Sequence, residues 1–307
     1  MIDGLPLCRA FDDQNVRSAF SFQPADDDLL ITTYPKCGTM WMQQIVYSIL
    51  TKGNKNLLSV EERRKTMPKL EWVGDDAVGA IPKPRVITTH LPLRLQNFST
   101  KAKYIHVARN PYDCCVSFYY HTKAIPFFYF ENGTFDQFFE MFVEGEVSYG
   151  DYFEHVLPWY EHRKDKNVLF LTYENLKKDM PGLILKIADF LDVQTYGDLL
   201  RDNPAMLEKV CELSSFKKTK TIISADEIAA KDCDAATGVN QEIKKSPQMI
   251  EAEAVMKPII ENSARKGIVG DWKNHFSAKQ VAVMQEYISR KAGGSDIMEL
   301  WKDCDLP

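Results

Sequence analysis

The segment from Leu29 to Leu50, LLITTYPKCGTMWMQQIVYSIL, constrains the fold of this chain more than any other. A β-rich apolar run, expected to cover Leu29 to Tyr34, meets a Pro35-Lys36-Cys37-Gly38-Thr39 turn that opens directly into a helical pattern over residues 39–50. A strand that passes through a tight basic turn into a helix start is how a backbone builds an anion cradle. Unpaired N–H groups and the positive end of the helix dipole face the ligand, and Lys36 adds a full charge. The spacing G-x-x-x-x-G-K-[ST] does not precede the helix, so this is not the standard phosphate loop. Taken alone, the segment fits an ordinary strand-to-helix turn with an exposed lysine equally well. An anion site needs further basic groups elsewhere.

Two such groups follow downstream. Residues 103–121, KYIHVARNPYDCCVSFYYH, read as a strand (104–108), a turn at Arg109-Asn110-Pro111 and a helix. Asn110 suits an N-cap and Pro111 the first helical position. Arg109 falls at the carboxyl end of its strand, the edge at which open α/β sheets bind ligands. Ser117 lies about two helical turns further on, at roughly 3.6 residues per turn, so a guanidinium fork and a hydroxyl are placed to hold a phosphate. The third group is ARKGIVGDWKNHF, residues 264–276. Its Arg265-Lys266 pair precedes Gly267, which permits close backbone approach to an anion.

Together these segments resemble the cytosolic sulfotransferase family, which moves a sulfuryl group from 3′-phosphoadenosine 5′-phosphosulfate (PAPS) to small hydroxyl or amine acceptors. Thr33-Tyr34-Pro35-Lys36-Cys37-Gly38-Thr39-Met40-Trp41 is similar to its 5′-phosphosulfate loop. The segment from Arg109-Asn110-Pro111 through Ser117 resembles its 3′-phosphate motif, and Arg265-Lys266-Gly267-Ile268-Val269-Gly270-Asp271-Trp272-Lys273-Asn274 its C-terminal signature. Thr89-His90-Leu91-Pro92, Gly145-Glu146-Val147-Ser148-Tyr149-Gly150 and Leu171-Thr172-Tyr173-Glu174 also match. The matches run in family order from near residue 25 to near residue 280.

Bulk properties agree. The 307 residues fit one large α/β domain, residues 1–307, and the net charge of −5 argues against nucleic acid as a partner. No charged-then-apolar leader and no apolar run near the roughly 20 residues of a membrane span is present, so a cytoplasmic protein without a membrane partner is expected. The seven cysteines lack disulfide-framework or zinc-ligand spacing, and reduced thiols are the simplest account. The sequon at Asn132-Gly133-Thr134 is read as a turn. Strand-like runs at 29–34, 85–89, 104–108 and 168–172 alternate with helical patterns at 39–50, 112–124, 135–144, 150–163 and 183–191. That alternation predicts a central parallel sheet covered by helices on both faces. Residues 217–262, rich in Lys, Asp, Glu and Ala, read as a loop-rich lid, reaching 217–270 once the basic loop is included.

Sulfuryl transfer needs positioning and charge stabilisation, as phosphoryl transfer does, and a base for the acceptor proton. His90 is the candidate base. It ends the 85–89 strand at the same sheet edge as Lys36 and Arg109, and histidine's unperturbed pKa near 6.5 suits the task. His106, His121, His155, His162 and His275 fall mid-strand, on helices or on loops. The resemblance implies that Lys36 contacts the bridging oxygen and that Gly38 and Thr39, within a loop including Cys37 and Met40, hold the 5′-phosphate. It assigns Arg109, Ser117, Arg265, Lys266 and Gly267 to the 3′-phosphate. It further implies an adenine sandwich between Trp41 and Phe216, with Tyr173 and Ser214 near the base's edge, PAP (3′-phosphoadenosine 5′-phosphate) as product, and no metal.

The sequence departs from that family in places. Cys37 stands where Ser is usual and Met40 where Thr is common; each change removes a hydroxyl worth about 1 kcal/mol of hydrogen bonding. Cys37, beside Lys36 at a helix start, is expected to have a depressed pKa and to be oxidisable. Thr88 occupies the place, two before the histidine, where many members carry Lys, so slow turnover is expected. The C-terminal dimer motif is degenerate: Lys273 is kept, but Ser277-Ala278 and Ala282 replace its later residues, leaving a homodimer in doubt. For the acceptor, the aromatic run 124–130, with Phe127, Phe128 and Tyr129, is expected to line an apolar pocket joined by Phe20 and Phe22. Phenols, catecholamines, other aromatic amines and sterol alcohols fit such a wall, and a phenol is the leading choice. Two other classes stay open: a P-loop nucleotide kinase, and a PAPS- or PAP-binding protein with little or no turnover.

Overall fold

The computed structural model describes residues 1–219 and 266–307. Arg265 and most of the expected lid lie outside the described residues. Four strands, β1 (Leu29–Thr33), β2 (Val86–Thr89), β3 (Lys103–Ala108) and β4 (Val168–Thr172), form one parallel sheet in the order β2-β1-β3-β4. Leu29 is in register with Val86 on one side and with Lys103 on the other, and Tyr104 pairs with Val168. The chain leaves β1 towards β2 and then crosses back to β3. The order therefore reverses at β1, and ligands of open α/β sheets bind outside the carboxyl ends of strands at such a reversal.

The helices before β2 are α1 (Asp13–Ser21), α2 (Thr39–Leu50), α3 (Val60–Thr66), α4 (Leu70–Val73) and α5 (Asp75–Gly79). Between β3 and β4 run α6 (Pro111–Ala124), α7 (Phe135–Glu144) and α8 (Tyr152–Glu161). After β4 come α9 (Tyr173–Lys178), α10 (Met180–Leu191), α11 (Leu199–Asp202), α12 (Pro204–Leu213) and α13 (Ala278–Ala292). Every residue of β1 is buried, as a sheet covered on both faces requires. Alternation along the strands divides the apolar residues between the faces. Leu29, Ile31, Ile105, Val107, Leu169 and Leu171 pack with α2, α10 and α12. Leu30, Tyr104 and Val168 pack on the other face with Leu5, Phe22, Leu91 and Trp159. A third cluster joins α6, α7, α8 and α13 through Phe118, Phe138, Phe153, Tyr287 and Trp301.

The expected elements appear with end corrections that have local causes. Tyr34 lies beyond β1 and Arg85 before β2. The helix expected from residue 150 starts at Tyr152, because Gly150 has φ +79° and Asp151 is the N-cap, its side chain accepting the N–H of Glu154. The helix expected from residue 183 starts at Met180, capped by Asp179. Thr134 of the sequon forms a capping box with Gln137 at the start of α7. Helix α1, capped by Asp12, and helix α13, opened by a Ser277–Gln280 capping box, carry start signals that the periodicity reading passed over. In the degenerate dimer motif, Lys273 is ion-paired with Asp305 and Ser277 is that helix cap. Among the described residues no helix is long and apolar enough to cross a membrane, and none of the six described cysteines is in a disulfide.

Candidate active site at the carboxyl edge of the sheet

The turn after β1 is shaped by two left-handed residues, Lys36 at φ +70° and Gly38 at φ +109°. Only glycine fits at 38: a Cβ there would sit 3.0 Å from the Tyr173 ring. Gly38 caps α2 without any side-chain hydrogen bond, so the start of this helix is presented to a ligand rather than closed by its own sequence. The Lys36 ammonium points into the cavity, 3.5 Å from His121 Nδ1. Burial, reinforced by the nearby Arg109 guanidinium, pulls Lys36 down to about 8. Cys37 contradicts the expectation of a reactive thiolate. It is fully buried against Cys114, 3.8 Å between sulfurs, and burial pushes its thiol well above the ordinary value. The positive end of the helix therefore does not act on an exposed thiol; desolvation of the charged form dominates.

His90 follows β2 directly. Its Nδ1–H donates to the Thr33 carbonyl at 2.7 Å, which fixes the tautomer and leaves Nε2 as the basic nitrogen of a ring that lines the cavity. Thr33 Oγ1 lies 3.0 Å from the same Nδ1 and 2.7 Å from Thr39 Oγ1, linking base and phosphosulfate loop through one hydroxyl pair. The His90 main chain is held on both sides. Its N–H donates to Glu71 Oε1 at 2.9 Å, and its carbonyl accepts from His155 Nε2 at 2.9 Å. Glu71 also accepts from Thr89 Oγ1 and from the Tyr149 hydroxyl, so one buried carboxylate ties three segments to the base. Burial and the Lys69 charge hold His90 well below its ordinary value, so the ring is neutral at physiological pH.

Arg109 sits where expected, at the end of β3. Its guanidinium donates to the Lys36 and Ile268 carbonyls, lies 4.5 Å over the Tyr173 ring, and leaves a buried Nε without a partner among the described residues. Asn110 is the N-cap of α6, as expected, and Pro111 opens that helix. Asn110 in turn is held by Glu174 Oε1 through both its main-chain and side-chain nitrogens, at 2.9 and 2.7 Å. Asp113 accepts the N–H groups of Gly270 and Trp272, at 2.8 and 3.0 Å, and so docks the C-terminal basic loop on α6. That places Lys266, paired with Asp271 at 2.8 Å, and Gly267 on the cavity wall with Arg109 and Ser117. Gly267 is obligatory there: φ is +65°, and a Cβ would meet the Phe216 ring at 2.1 Å.

The two rings of the expected adenine sandwich adjoin one another. The Trp41 and Phe216 rings lie edge to face, 79° apart with centroids at 5.9 Å. A base between parallel rings needs about 7 Å, two layers at roughly 3.5 Å each. Edge-to-face contact suits the quadrupoles of the two rings, and Phe216 would have to move to admit a base between them. Trp41 also packs on Tyr173 and donates to the Ser214 carbonyl at 2.6 Å. The Ser214 hydroxyl is buried without a partner among the described residues. An unmade buried hydrogen bond costs about 1–3 kcal/mol. The orphaned Ser214 Oγ and Arg109 Nε thus fit a base edge and a phosphate respectively.

The acceptor side differs most from expectation. The described residues bound a cavity of about 340 Å³ that runs from Lys36, Thr39 and Arg109 past His90 to Phe11, Trp72, Ile125, Phe128 and Tyr149. Of the expected acceptor wall, Ile125 and Phe128 line it, and Phe20, Phe22, Phe127 and Tyr129 do not. Phe22 is buried and Phe20 partly buried in the cluster that holds Leu30 and Tyr104, while α1 packs on α4 and α5. Phe127 lies outside the cavity, in the short turn Pro126–Phe128. Tyr129 is 69 % exposed, with Arg9 over its ring. Sequence reasoning missed Lys69, Trp72, Tyr149, Phe11 and His121. Tyr149 stood inside a matched segment, and its φ of +71° marks it as held for a purpose.

The sequence matches a family model described as a sulfotransferase domain over residues 26–229. It is 35 % identical over 309 residues to Sulfotransferase 1C2 of Oryctolagus cuniculus, covering 96 % of this chain and 93 % of that protein. It is 34 % identical over 288 residues to Sulfotransferase 2A1 of Mus musculus, covering 92 % and 89 %. The structure is similar to that of mouse sulfotransferase SULT7A1 complexed with PAP, at TM-score 0.72 and 28 % identity over 99 % of this chain and 97 % of that one. Retinol dehydratase, solved with androsterone and inactive cofactor PAP, shares the fold at TM-score 0.67 and 23 % identity, covering 93 % and 87 %. Sequence and fold agree, and the chain belongs to the cytosolic sulfotransferase family, the PAPS-dependent sulfotransferases.

Proposed function

We propose that this chain transfers the sulfuryl group of PAPS in line to a hydroxyl or amine of a small acceptor, a phenol first among them, with His90 as general base. One observation carries the reading: Nδ1–H of His90 is anchored on Thr33, so Nε2 is available to a cavity that also receives the Lys36 ammonium and borders Arg109. PAPS, when bound, supplies the sulfuryl group and a phosphate leaving group, so the acceptor O–S bond forms as the S–O bond to the 5′-phosphate breaks. Nε2 of His90 takes the acceptor proton. Lys36, cationic below about 8, places its charge where the leaving oxygen develops negative charge. Arg109, Ser117, Lys266 and Gly267 border the 3′-phosphate position, with Arg265 assigned there by family likeness alone. Trp41, Tyr173, Ser214 and a rotated Phe216 border the base, and the Gly38–Met40 backbone the 5′-phosphate.

Thr88 carries no charge for the transferring group. Its hydroxyl accepts from Gln43 Nε2 at 2.8 Å, consistent with modest turnover. The test is transfer of labelled sulfate from PAPS to a simple phenol, a catecholamine, a sterol alcohol and an aliphatic amine. Transfer to any of them supports the reading. PAP binding without transfer to any acceptor leaves the chain as a binder that has lost its chemistry, and stabilisation by ADP over PAP returns it to the kinases.

A further inference from the structure

Lys69, the residue before α4, lines the acceptor side of the cavity, as Arg63 and Arg64 also do, and the donor-site assignments do not use its charge. It pairs with Thr88 of β2 in a parallel bridge, which puts both side chains on one face, and both line the cavity. Its ammonium rests on two rings, 5.5 Å from the centroid of Phe11 and 5.1 Å from that of Tyr149. The Tyr149 and His90 rings are 5.2 Å apart, so ammonium and imidazole adjoin one ring.

The nearest carboxylate is Glu71, at 3.8 Å, beyond hydrogen-bonding distance. Glu71 is already satisfied by Thr89, the His90 N–H and the Tyr149 hydroxyl. Lys69 is 31 % exposed, so its three donors keep access to the cavity, and no hydrogen-bond acceptor is recorded for them among the described residues. The other carboxylates on the cavity wall, Asp113 and Asp271, are occupied by the C-terminal loop and by Lys266. Among the described residues the wall therefore offers, in Lys69, an ammonium whose one carboxylate partner lies beyond hydrogen-bonding distance, and no carboxylate left without a partner.

We propose that Lys69 recognises an anionic group on the acceptor, so that this site takes aromatic hydroxyl compounds bearing a carboxylate or similar anion about one ring away from the hydroxyl, and rejects cationic amines. The inference rests on the sulfotransfer reading of the site and narrows its acceptor class. A hydroxyl at His90 and an anion at Lys69 would span Tyr149, with Phe11, Trp72 and Phe128 covering the aromatic body between them. A charge-assisted hydrogen bond with a desolvated ammonium gives selectivity of about tenfold or more.

The experiment compares three acceptors of similar size: 3-(4-hydroxyphenyl)propionate, 4-propylphenol and tyramine. Each is assayed with PAPS by the full chain, its Lys69→Met variant and its Lys69→Arg variant. The wild type is expected to show kcat/KM at least about tenfold higher for the acid than for the neutral phenol, with the amine lowest. Lys69→Met should remove that ratio through KM of the acid, and Lys69→Arg should keep it. Equal use of the three acceptors by the wild type overturns the inference while leaving sulfotransfer intact. So does a Lys69→Met loss of kcat that is the same for all three, which would instead place the charge on the transferring group. If none is turned over, the sulfotransfer reading has failed, and calorimetry of the acid on the PAP complex still decides: equal binding by wild type and Lys69→Met overturns the role of Lys69.

Discussion

The proposed donor and acceptor halves of the cavity are built in opposite ways. The donor half comes from short contiguous segments, each running strand, turn, helix: Lys36 to Trp41 after β1, Arg109 to Ser117 after β3, and Lys266 to Gly267 docked on α6 by Asp113. The acceptor half is assembled from single residues far apart in sequence, among them Phe11, Lys69, Trp72, Phe128 and Tyr149. Anion binding by backbone N–H groups needs a fixed local conformation, and hence a contiguous motif. Apolar enclosure needs only area from any direction, so its residues are free to vary in place and type.

The largest test of the comparison lies where the halves meet. His90→Ala should lower kcat by about 10²–10⁴-fold, the usual worth of a general base, while PAP affinity, measured by calorimetry, stays close to that of the wild type. Loss of PAP binding in this variant would mean that the base belongs to the donor half. Next, Arg109→Ala should weaken PAP roughly 10–100-fold, the worth of hydrogen bonds from a charged group. The acceptor KM should be little changed, and a melting curve of the ligand-free variant controls for lost packing on Tyr173. Equal damage to donor and acceptor constants would erase the division.

The pH profile is a smaller and more graded test. Lys36 is cationic below about 8, so kcat/KM for PAPS should decline above that pH, approaching tenfold per unit. Burial holds His90 well below its ordinary value, so the ring is protonated, and the base lost, only as pH falls through that lowered pKa. The acid limb should therefore lie below pH 6.5, and Lys36→Arg should move the alkaline limb upward. An acid limb above 6.5 would contradict the neutral His90. The smallest effect belongs to Cys37. Native alkylation followed by mass spectrometry should leave it unmodified, and Cys37→Ser should not change the oxidant sensitivity of the activity. Rapid labelling of Cys37 before Cys8 or Cys304, both partly exposed, would reverse that conclusion.

The sheet was legible because each of its strands is a short apolar run ending at a polar turn, and the residues at those turns were the site. His90, Arg109 and Lys36 were singled out by their strand-end positions together with the family resemblance. What stayed illegible has three physical causes. Phe20 and Phe22 look like pocket residues until they are seen to pack into the core cluster with Leu30 and Tyr104, a tertiary choice that composition does not reveal. Cys37 combines two opposing effects, helix dipole and burial, and only the fully enclosed position decides between them. Lys69 lies just before a four-residue helix and enters the site through its bridge to Thr88, a contact between segments with no local signal. Glu71, which anchors the base, was hidden for the same reason.

The measurement that bears most directly on the account is single-turnover transfer with the full chain in excess over labelled PAPS and 4-propylphenol present. The account predicts that the label moves to the phenol oxygen in stoichiometric amount and that added PAP competes with PAPS. Label retained on PAPS by a chain that binds PAP, across neutral, anionic and cationic acceptors, would contradict it.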